Sequence, residues 1–362
     1  MNIVILNWRD LANPMAGGAE VVVDKLLVGL SERGHTVTLI CGGPVGKRPY
    51  RVIRAGKTYS QYLLVPFFAM FKCADADLII DADCGIPFFS PIWSRAPKVC
   101  LVHHLHTDQW ADLLPIPLAK IAAYLEKLII RKVYRRTTFV AVSHSTKDAL
   151  EALGVVGDRI NVIESGVEVA VRGEWSNLSK SETPIFVCLG RQVPHKRTLL
   201  VLEAWSSIVS ETDGELVILG DGPDHLAILR MARNIPRVKV LGRVSDKERD
   251  AFLESAWLQI NASHHEGWGI TVLEAAVLGT PTLAFDVPGI RDAIIDNNTG
   301  VLIPNPKDSE ISSFAMAWKE LAMSPTKIER LSRAAHARAL SQSWERSIDK
   351  WEELLLWVES GP

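Results

Sequence analysis

Two glutamates in the second half of the chain are spaced so that both could reach one ligand. Glu266 and Glu274 are eight positions apart, and the segment Gly267-Trp268-Gly269-Ile270-Thr271 lies between them. Its glycines let backbone approach a ligand closely. A helix beginning near Ile270 would direct unpaired N–H groups at that ligand, which favours a phosphate. The pair also fits one loop carboxylate plus one solvated helix charge, so spacing alone leaves both interpretations open.

Two cations precede this segment in the chain. Arg191 and Lys196 follow the apolar run Ile185–Leu189, which predicts a strand. Residues at a strand end face the crevice where ligands of open α/β sheets bind. A planar guanidinium and a point-charge ammonium together suit a phosphate. The alternative is two solvated surface cations.

The elements that must position these residues form a repeating pattern. Short Val/Ile/Leu runs alternate with helical periodicity in both halves, which predicts βαβ units and parallel sheets buried on both faces. The predicted strands of the first half are Ile3–Asn7, Val37–Cys41, Leu78–Asp81, Val99–Val102 and Phe139–Val142, and the predicted helices are Ala19–Arg33, Leu118–Tyr134 and Ser145–Leu153. The predicted strands of the second half are Ile185–Leu189, Leu216–Leu219, Val238–Leu241, Leu258–Ile260, Thr282–Ala284 and Val301–Ile303.

A polar stretch separates the two halves. We predict an N-terminal Rossmann-like domain at 1–168, a linker at 169–184 and a C-terminal Rossmann-like domain at 185–340. Residues 341–362 carry only helical signals and should pack back toward the first domain. Two doubly wound sheets would face each other across a cleft, which is the default ligand site.

Composition excludes several classes of protein. The 362 residues are 48% hydrophobic and 23% charged with net charge −2, which rules out disorder, fibres and a global field for nucleic acid. Five cysteines without paired spacing indicate reduced, buried thiols in a cytoplasmic chain. The chain starts without a basic leader or cleavage site, so secretion is not expected. The apolar patch Tyr62–Phe71 is too short to cross a bilayer and is interpreted as core.

The motifs together resemble those of the family 4 glycosyltransferases, which are retaining enzymes with the GT-B fold. The stretch from Glu266 through Glu274 to Pro281 is similar to the family's EGFG-x-x-x-LEA-x-x-x-G-x-P, with Trp268 where Phe is commoner. Gly17-Gly18-Ala19-Glu20 is similar to its GGAE. The loop Gly190–Arg197 resembles its GR-x-x-x-x-KG, with Arg197 in place of Gly.

The resemblance implies a retaining transfer of a sugar from a nucleotide diphosphate sugar to an acceptor hydroxyl, without a metal or other cofactor. A UDP-sugar is favoured over a GDP-sugar. Arg191 and Lys196 would hold the diphosphate, Glu266 the sugar hydroxyls and Glu274 the ribose, and His103 would face the transferred sugar. The donor-binding residues implied are Gly17, Gly18, Arg191, Lys196, Gly220, Arg243, Val244, Glu266, Gly267, Trp268, Gly269, Ile270, Thr271 and Glu274.

Three histidines, His103, His104 and His106, close the fourth predicted strand of the first half. A metal site is one reading, but a strand alternates its faces and separates the first two imidazoles. Partly buried structural histidines are the second reading, and a sugar-facing His103, with His104 as runner-up on the acceptor side, is the third. Asp83 ends a D-x-D pair whose match is too short to indicate a metal. We interpret these residues as strand-end carboxylates, with Asp83 as a candidate acceptor contact.

The stretch Lys120–Arg136 predicts a basic amphipathic helix with the single acid Glu126. Such a helix can lie on an anionic membrane, here on the inner face, or be a solvated face. Nucleic acid is not expected, because no aromatic side chains interleave the charges. The acceptor could be a glycan, a lipid-linked molecule or a natural product.

Four alternatives to a transferase are weighed against the sequence, and two of them remain open. A nucleotide-sugar epimerase or a phosphorylase could use the same frame. A nicotinamide dehydrogenase is disfavoured, because the first strand leads to Gly17-Gly18 only after a long loop and not to a compact G-x-G-x-x-G turn. A binding protein without catalysis is disfavoured by Glu266, Arg191 and Lys196.

Overall fold

Two parallel β-sheets organise the chain. The computed structural model describes residues 1–57, 59–83, 85–106, 110, 114–169, 180–304 and 310–361. They divide into two units, Met1–Gly166 with Trp344–Pro362, and Val167–Ser343. Most of the predicted linker, residues 170–179, and Cys84 lie outside the described residues. The cysteines Cys41, Cys73, Cys100 and Cys188 are unpaired and buried, as predicted.

The first unit contains a seven-stranded sheet. Its elements are β1 (Asn2–Arg9), α1 (Gly18–Glu32), β2 (Thr36–Gly42), β3 (Arg51–Arg54), α2 (Gln61–Lys72), β4 (Leu78–Asp83), α3 (Ser90–Trp93), β5 (Lys98–Val102), α4 (Ile116–Lys132), β6 (Thr138–Ala141), α5 (His144–Ala152) and β7 (Ile160–Val162). The strands run in the order β3-β2-β1-β4-β5-β6-β7. The chain moves outward in opposite directions from β1 and β4, so the crevice between their carboxyl ends is a topological switch point.

The second unit contains a six-stranded sheet. Its elements are β8 (Ile185–Leu189), α6 (Thr198–Ile208), β9 (Glu215–Leu219), α7 (His225–Ala232), β10 (Val238–Gly242), α8 (Asp246–Ser255), β11 (Leu258–Asn261), α9 (Ile270–Val277), β12 (Thr282–Phe285), α10 (Ile290–Ala293), β13 (Gly300–Ile303), α11 (Glu310–Ala322) and α12 (Pro325–Leu340). The order β10-β9-β8-β11-β12-β13 puts the switch point between β8 and β11. All pairings are parallel, for example Leu258 with Phe186.

A last helix, α13 (Trp344–Ser360), returns to the first unit. It packs on α1, where Arg33 forms ion pairs with Asp349 and Glu352. Its Ser347 hydroxyl donates to the Glu164 carbonyl at 2.8 Å.

The predicted strands and helices all occur with shifts of one or two residues, and the structure adds elements that the periodicity did not predict. In the first unit these are β3, β7, α2 and the short α3. The interpretation of Tyr62–Phe71 as core is wrong for one side of α2. Val65 and Ala69 are buried, whereas Leu63 and Phe71 are exposed. The sequence there is apolar all round, so periodicity did not distinguish the two sides.

Candidate functional site

The loops that follow β8 and β9 approach each other closely. Gly220 has φ +123°, and a Cβ there would lie 1.9 Å from the Gly190 carbonyl oxygen. Gln192, which is buried, donates from Nε2 to the Gly220 carbonyl at 2.7 Å. Because only glycine permits this approach, the loop carrying Arg191 and Lys196 is fixed against the neighbouring strand end.

The two predicted cations, Arg191 and Lys196, line a cleft at the switch point between β8 and β11. Gly190, Arg191 and Lys196 line it on one side, and Asn261 and Ser263 line it on the other. The two loops are joined by a backbone hydrogen bond from His264 N to the His195 carbonyl at 2.8 Å.

Glu266 and Lys196, predicted separately, form an ion pair in this cleft. Ser263 also donates to Glu266, from Oγ to Oε1 at 2.8 Å. Burial acts to raise the pKa of Glu266, but the Lys196 ammonium and the hydrogen bonds from Lys196 and Ser263 outweigh it, so the pKa is lowered. Glu266 is therefore an anion at neutral pH.

The imidazole of His195 stays neutral beside this pair. Burial and the nearby Lys196 charge lower its pKa to about 4. A neutral ring avoids adding a third charge next to the ion pair, and the cationic side of the cleft is left to Arg191 and Lys196.

Helix α9 begins at Ile270, four residues after Glu266, as the motif predicted. Its N-cap is Gly269, in the left-handed region with φ +85°. Trp268 is buried. The Thr271 hydroxyl is buried and has no hydrogen-bond partner among the described residues. By helix geometry the first N–H groups of α9 lack intrahelical partners one turn back, although Val272 N donates to the Gly269 carbonyl at 2.9 Å.

The apolar row of Ile270, Leu273 and Val277 at helical spacing predicts the core side of α9, and the structure bears this out only in part. Of Ile270, Leu273 and Val277, only Leu273 is buried; Val272, Ala275 and Ala276 form the rest of the buried side. The error follows from choosing one of two neighbouring apolar rows in a helix that is apolar on most sides.

Glu274 already has a partner that sequence reasoning missed. Arg249 lies 3.3 Å from its carboxylate and also pairs with Asp250 at 2.8 Å and Asp246 at 3.1 Å. Burial raises the pKa of Glu274. The two aspartates act in the same direction and the Arg249 guanidinium opposes them. Arg249 could not be identified beforehand, because its helix α8 is remote in sequence and matches no motif.

Arg197 occupies the position at which the family motif GR-x-x-x-x-KG has glycine. It adopts φ +53°, the left-handed region that favours glycine. Its guanidinium pairs with Glu310 at 2.9 Å and lies 4.8 Å from the centre of the Phe285 ring. The side chain therefore contributes contacts that glycine cannot, and these oppose the backbone strain.

Gln192 is a second residue that sequence reasoning missed. Besides its bond to Gly220, its Oε1 accepts from His225 Nδ1 at 2.7 Å, and its backbone N–H donates to the Asp221 carbonyl at 2.9 Å. The predicted Arg243 and Val244 follow β10, where Arg243 is exposed and Val244 is half-buried.

In the first unit, the predicted acceptor-side residues meet at the ends of β4 and β5. Asp83 is fully buried and accepts from Gly85 N at 2.8 Å. Burial raises the pKa of Asp83 to about 8. The nearby Glu126 carboxylate adds to this effect, and the hydrogen bond from Gly85 opposes it. His103 is buried, burial lowers its pKa to about 4, and its Nε2 has no partner among the described residues. His104 is half-buried.

No three His, Cys, Asp or Glu side chains of the described residues cluster so as to hold a metal ion. The predicted Gly17 caps α1 in an extended conformation and donates from its N–H to Glu20 at 2.7 Å, and Gly18 opens the helix. These glycines follow β1, so they and Asp83 belong to the switch point of the first sheet.

Two doubly wound parallel-sheet units with loop and helix-start sites at their switch points are the architecture of the GT-B fold. Comparison with known proteins agrees. Residues 16–171 match the family model described as Glycosyltransferase Family 4, and residues 173–338 match the model described as Glycosyl transferases group 1. The chain belongs to the family 4 glycosyltransferases and is an enzyme of that class.

Individual relatives are distant. The chain is 25% identical over 320 residues to N-acetyl-alpha-D-glucosaminyl L-malate synthase of Bacillus anthracis, covering 80% of this chain and 81% of that protein. Sucrose-phosphate synthase of Thermosynechococcus elongatus shares the fold with TM-score 0.78 and 18% identity, with 98% of both chains covered. Anabaena Alr3699/HepE in complex with UDP and glucose gives TM-score 0.75 and 18% identity, with 98% of this chain and 99% of that chain covered.

Proposed function

We propose that this glycosyltransferase moves a sugar from a nucleotide diphosphate sugar to an acceptor hydroxyl, with retention of anomeric configuration and without a metal or resident cofactor. One observation carries the proposal. Arg191 and Lys196 line the cleft at the switch point, Lys196 pairs there with the carboxylate of Glu266, and α9 begins at Ile270, four residues after Glu266. The structure of Alr3699/HepE with UDP and glucose supports a UDP-sugar as donor.

The reaction separates charge, and the site carries charges of the matching sign. The bond from the anomeric carbon to the diphosphate oxygen breaks with its electron pair on the oxygen, while the acceptor oxygen bonds to the same face of the carbon. The acceptor proton passes to the departing phosphate. Lys196, Arg191 and the N–H groups of α9 stabilise the growing negative charge. Glu266 holds sugar hydroxyls near the carbon that becomes positive.

Lys196 must change partners in this scheme. With its ammonium paired to Glu266, the cation is held in place before the donor arrives. A diphosphate offers it stronger, multiply charged oxygen acceptors. Glu266 then turns its freed oxygen to the sugar hydroxyls. The Thr271 hydroxyl, unpartnered and buried, donates to the same diphosphate.

The first unit supplies the acceptor side. A neutral His103 with an unpartnered Nε2 hydrogen-bonds the transferred sugar, and His104 and Asp83 contact the acceptor. Glu274 holds the ribose while Arg249 keeps its carboxylate in place. The acceptor is a hydroxyl of a glycan, a lipid-linked molecule or a natural product, reached in the cytoplasm or at the inner face of its membrane.

A thermal-shift screen of UDP- and GDP-sugars tests the donor, because a ligand bound only by the folded state raises its melting temperature. We expect a UDP-sugar to stabilise the wild type, and Lys196→Met to remove most of the shift. Lys247→Met, at an exposed position of the same unit, is the matched control and should retain it. Equal loss in both variants would contradict the assignment of Lys196.

Product analysis tests the chemistry. An α-linked donor should give an α-linked product by NMR, and EDTA should leave the rate unchanged. An inverted product or a rate abolished by EDTA would contradict retention or metal independence. Epimer or sugar phosphate formed from donor without acceptor would favour an epimerase or a phosphorylase.

A further inference from the structure

Exposed apolar side chains are concentrated in one part of the first unit. More than half of the exposed large hydrophobic residues in the described parts of the chain fall between Tyr59 and Leu128. They include Leu63, Phe67, Met70 and Phe71 of α2, and Leu118, Ile121, Tyr124, Leu125 and Leu128 of α4. Exposed apolar residues scattered singly need no explanation, but a concentration of this kind marks an interaction surface.

The two helices cover the same face of the sheet. Ile79 of β4 packs in one cluster with Val65 and Ala69 of α2. Asp81, two residues further along the strand and so on the same face, accepts a hydrogen bond from Tyr134, just after α4, at 2.5 Å. The outward sides of α2 and α4 therefore point away from the sheet in the same direction.

Each helix carries its exposed apolar residues as a stripe. On α4, Leu118, Ile121 and Tyr124 are 52%, 55% and 65% exposed, one turn apart, and the opposite side is buried through Ala119 and Ile130. On α2, Leu63 and Phe71 are 82% and 71% exposed. We call the outward sides of α2 and α4 together the α2/α4 face.

The exposed charge on this face is entirely positive. The only acid in residues 55–74 and 114–136 is Glu126. It is buried, and it accepts from His106 N at 2.8 Å and from Trp110 Nε1 at 3.1 Å. The exposed cations of the two helices are Lys72, Lys120, Lys127, Arg131 and Lys132.

Charge decides which occupant fits. A second copy of this chain would bring the same cations against each other, which disfavours a self-complementary pair. An anionic bilayer surface attracts them, and apolar side chains between the cations can enter the boundary between headgroups and acyl chains.

We propose that the α2/α4 face docks on a bilayer containing anionic phospholipid, with both helices lying in the plane of the interface. The helices lie on the bilayer and do not cross it. At 12 and 17 residues they span roughly 18 and 26 Å, short of the hydrocarbon thickness of about 30 Å, and each packs on the sheet along one side. No helix of the described residues is long and apolar enough to span a membrane.

The inference rests on the proposed function only in placing the acceptor at that bilayer. Glu126 connects the docking surface with the acceptor side of the site. It belongs to α4, the helix that meets the lipid, and its buried carboxylate accepts a hydrogen bond from the backbone of His106 in the loop after β5. That loop begins with His103 and His104.

Vesicle flotation tests the surface without donor or acceptor. The full chain is mixed with vesicles of phosphatidylcholine containing 30% phosphatidylglycerol or with phosphatidylcholine alone, at low and high salt. We expect binding to the anionic vesicles at low salt and a marked loss at high salt, since surface attraction falls within a Debye length. The wild type should bind pure phosphatidylcholine at least roughly tenfold more weakly.

Two double variants remove the two attractions. Lys127→Glu with Arg131→Glu, and Leu63→Ser with Phe67→Ser, should each weaken binding by roughly tenfold or more. The matched controls change equally exposed residues of the second unit, namely Lys247→Glu with Arg333→Glu, and Leu226→Ser with Met316→Ser. These controls should bind within about twofold of wild type.

Several outcomes would overturn the proposal. They are no binding of the wild type to anionic vesicles, equal losses in variants and controls, or a dimer without vesicles that the face variants dissociate, which would assign the face to a second copy. Thermal shift with the donor is measured on the same proteins. A variant that still binds the donor but no longer binds vesicles has lost only the membrane-docking surface. A wild type that binds vesicles but no donor would contradict the proposed function and leave the docking surface intact.

Discussion

Replacing Glu266 with Gln is the most direct test of the site. The change keeps the size and one acceptor oxygen but removes the charge that pairs with Lys196. At an effective dielectric constant of 20, opposite charges about 4 Å apart attract by about 4 kcal/mol, and desolvation offsets much of this. Both side chains retain some exposure, 17% and 13%, so we expect a net loss of stability of about 1–3 kcal/mol.

The effect on catalysis should exceed the effect on binding. Removing one preorganised charge or donor from such a site lowers kcat by about 10²–10³. Affinity for UDP should be retained or increase, because Lys196 loses its internal carboxylate partner and stays available to the diphosphate. Initial rates with the donor found by screening, together with calorimetric titration of UDP, measure both quantities.

Glu310→Gln is the matched control. It removes the carboxylate from another ion pair of the same unit, with Arg197 at 2.9 Å, and should cost similar stability with little change in kcat. An unchanged kcat in Glu266→Gln would remove Glu266 from the mechanism. A drop in UDP affinity as large as the drop in kcat would show that Glu266 serves nucleotide binding instead.

Further outcomes follow from single sites. Because the folded-state pKa of Asp83 is raised to about 8, the native state binds the extra proton and this group's contribution to stability falls as pH rises from 6.5 to 8, by up to about 1.4 kcal/mol per unit. Lys180, whose burial lowers its pKa to about 7, acts in the opposite sense, so the measured quantity is the difference between wild type and Asp83→Asn in urea titrations, where Lys180 is common to both. Below pH 6.5 the lowered pKa of His103, about 4, acts in the opposite sense, so the window above 6.5 is the informative one. Thr271→Val should leave stability within about 0.5 kcal/mol, since its hydroxyl has no partner, yet weaken UDP binding; unchanged affinity would show that this hydroxyl does not meet the nucleotide. Arg197→Gly relieves the left-handed strain but loses the Glu310 and Phe285 contacts, so stability should change by less than in Arg197→Ala, which loses the contacts and keeps the strain.

The sequence predicted the sheets and the motif-bearing loops because both are local. Aliphatic runs such as Ile185–Leu189 indicate buried parallel strands wherever they occur, and the glycines around Glu266 indicate a turn at the end of one. Contacts between remote segments were not predictable in this way. The pairing of Arg249 with Glu274 and the bracing of Gly220 by Gln192 depend on which strand ends become neighbours.

The missed side of α2 has a different cause, and it bears on how a surface of this kind is recognised. An apolar run with no polar side is read as core, since periodicity gives no outward direction. In the folded chain the sheet defines the inward side of α2, because Val65 and Ala69 pack against it. The apolar residues on the other side of the helix remain exposed. A basic stretch alone fits a solvated helix equally well. The acid of α4, Glu126, is buried, and α2 leaves an apolar stripe exposed on the same side of the sheet. Together the two helices give one face the positive charge and the apolar surface that an anionic bilayer binds.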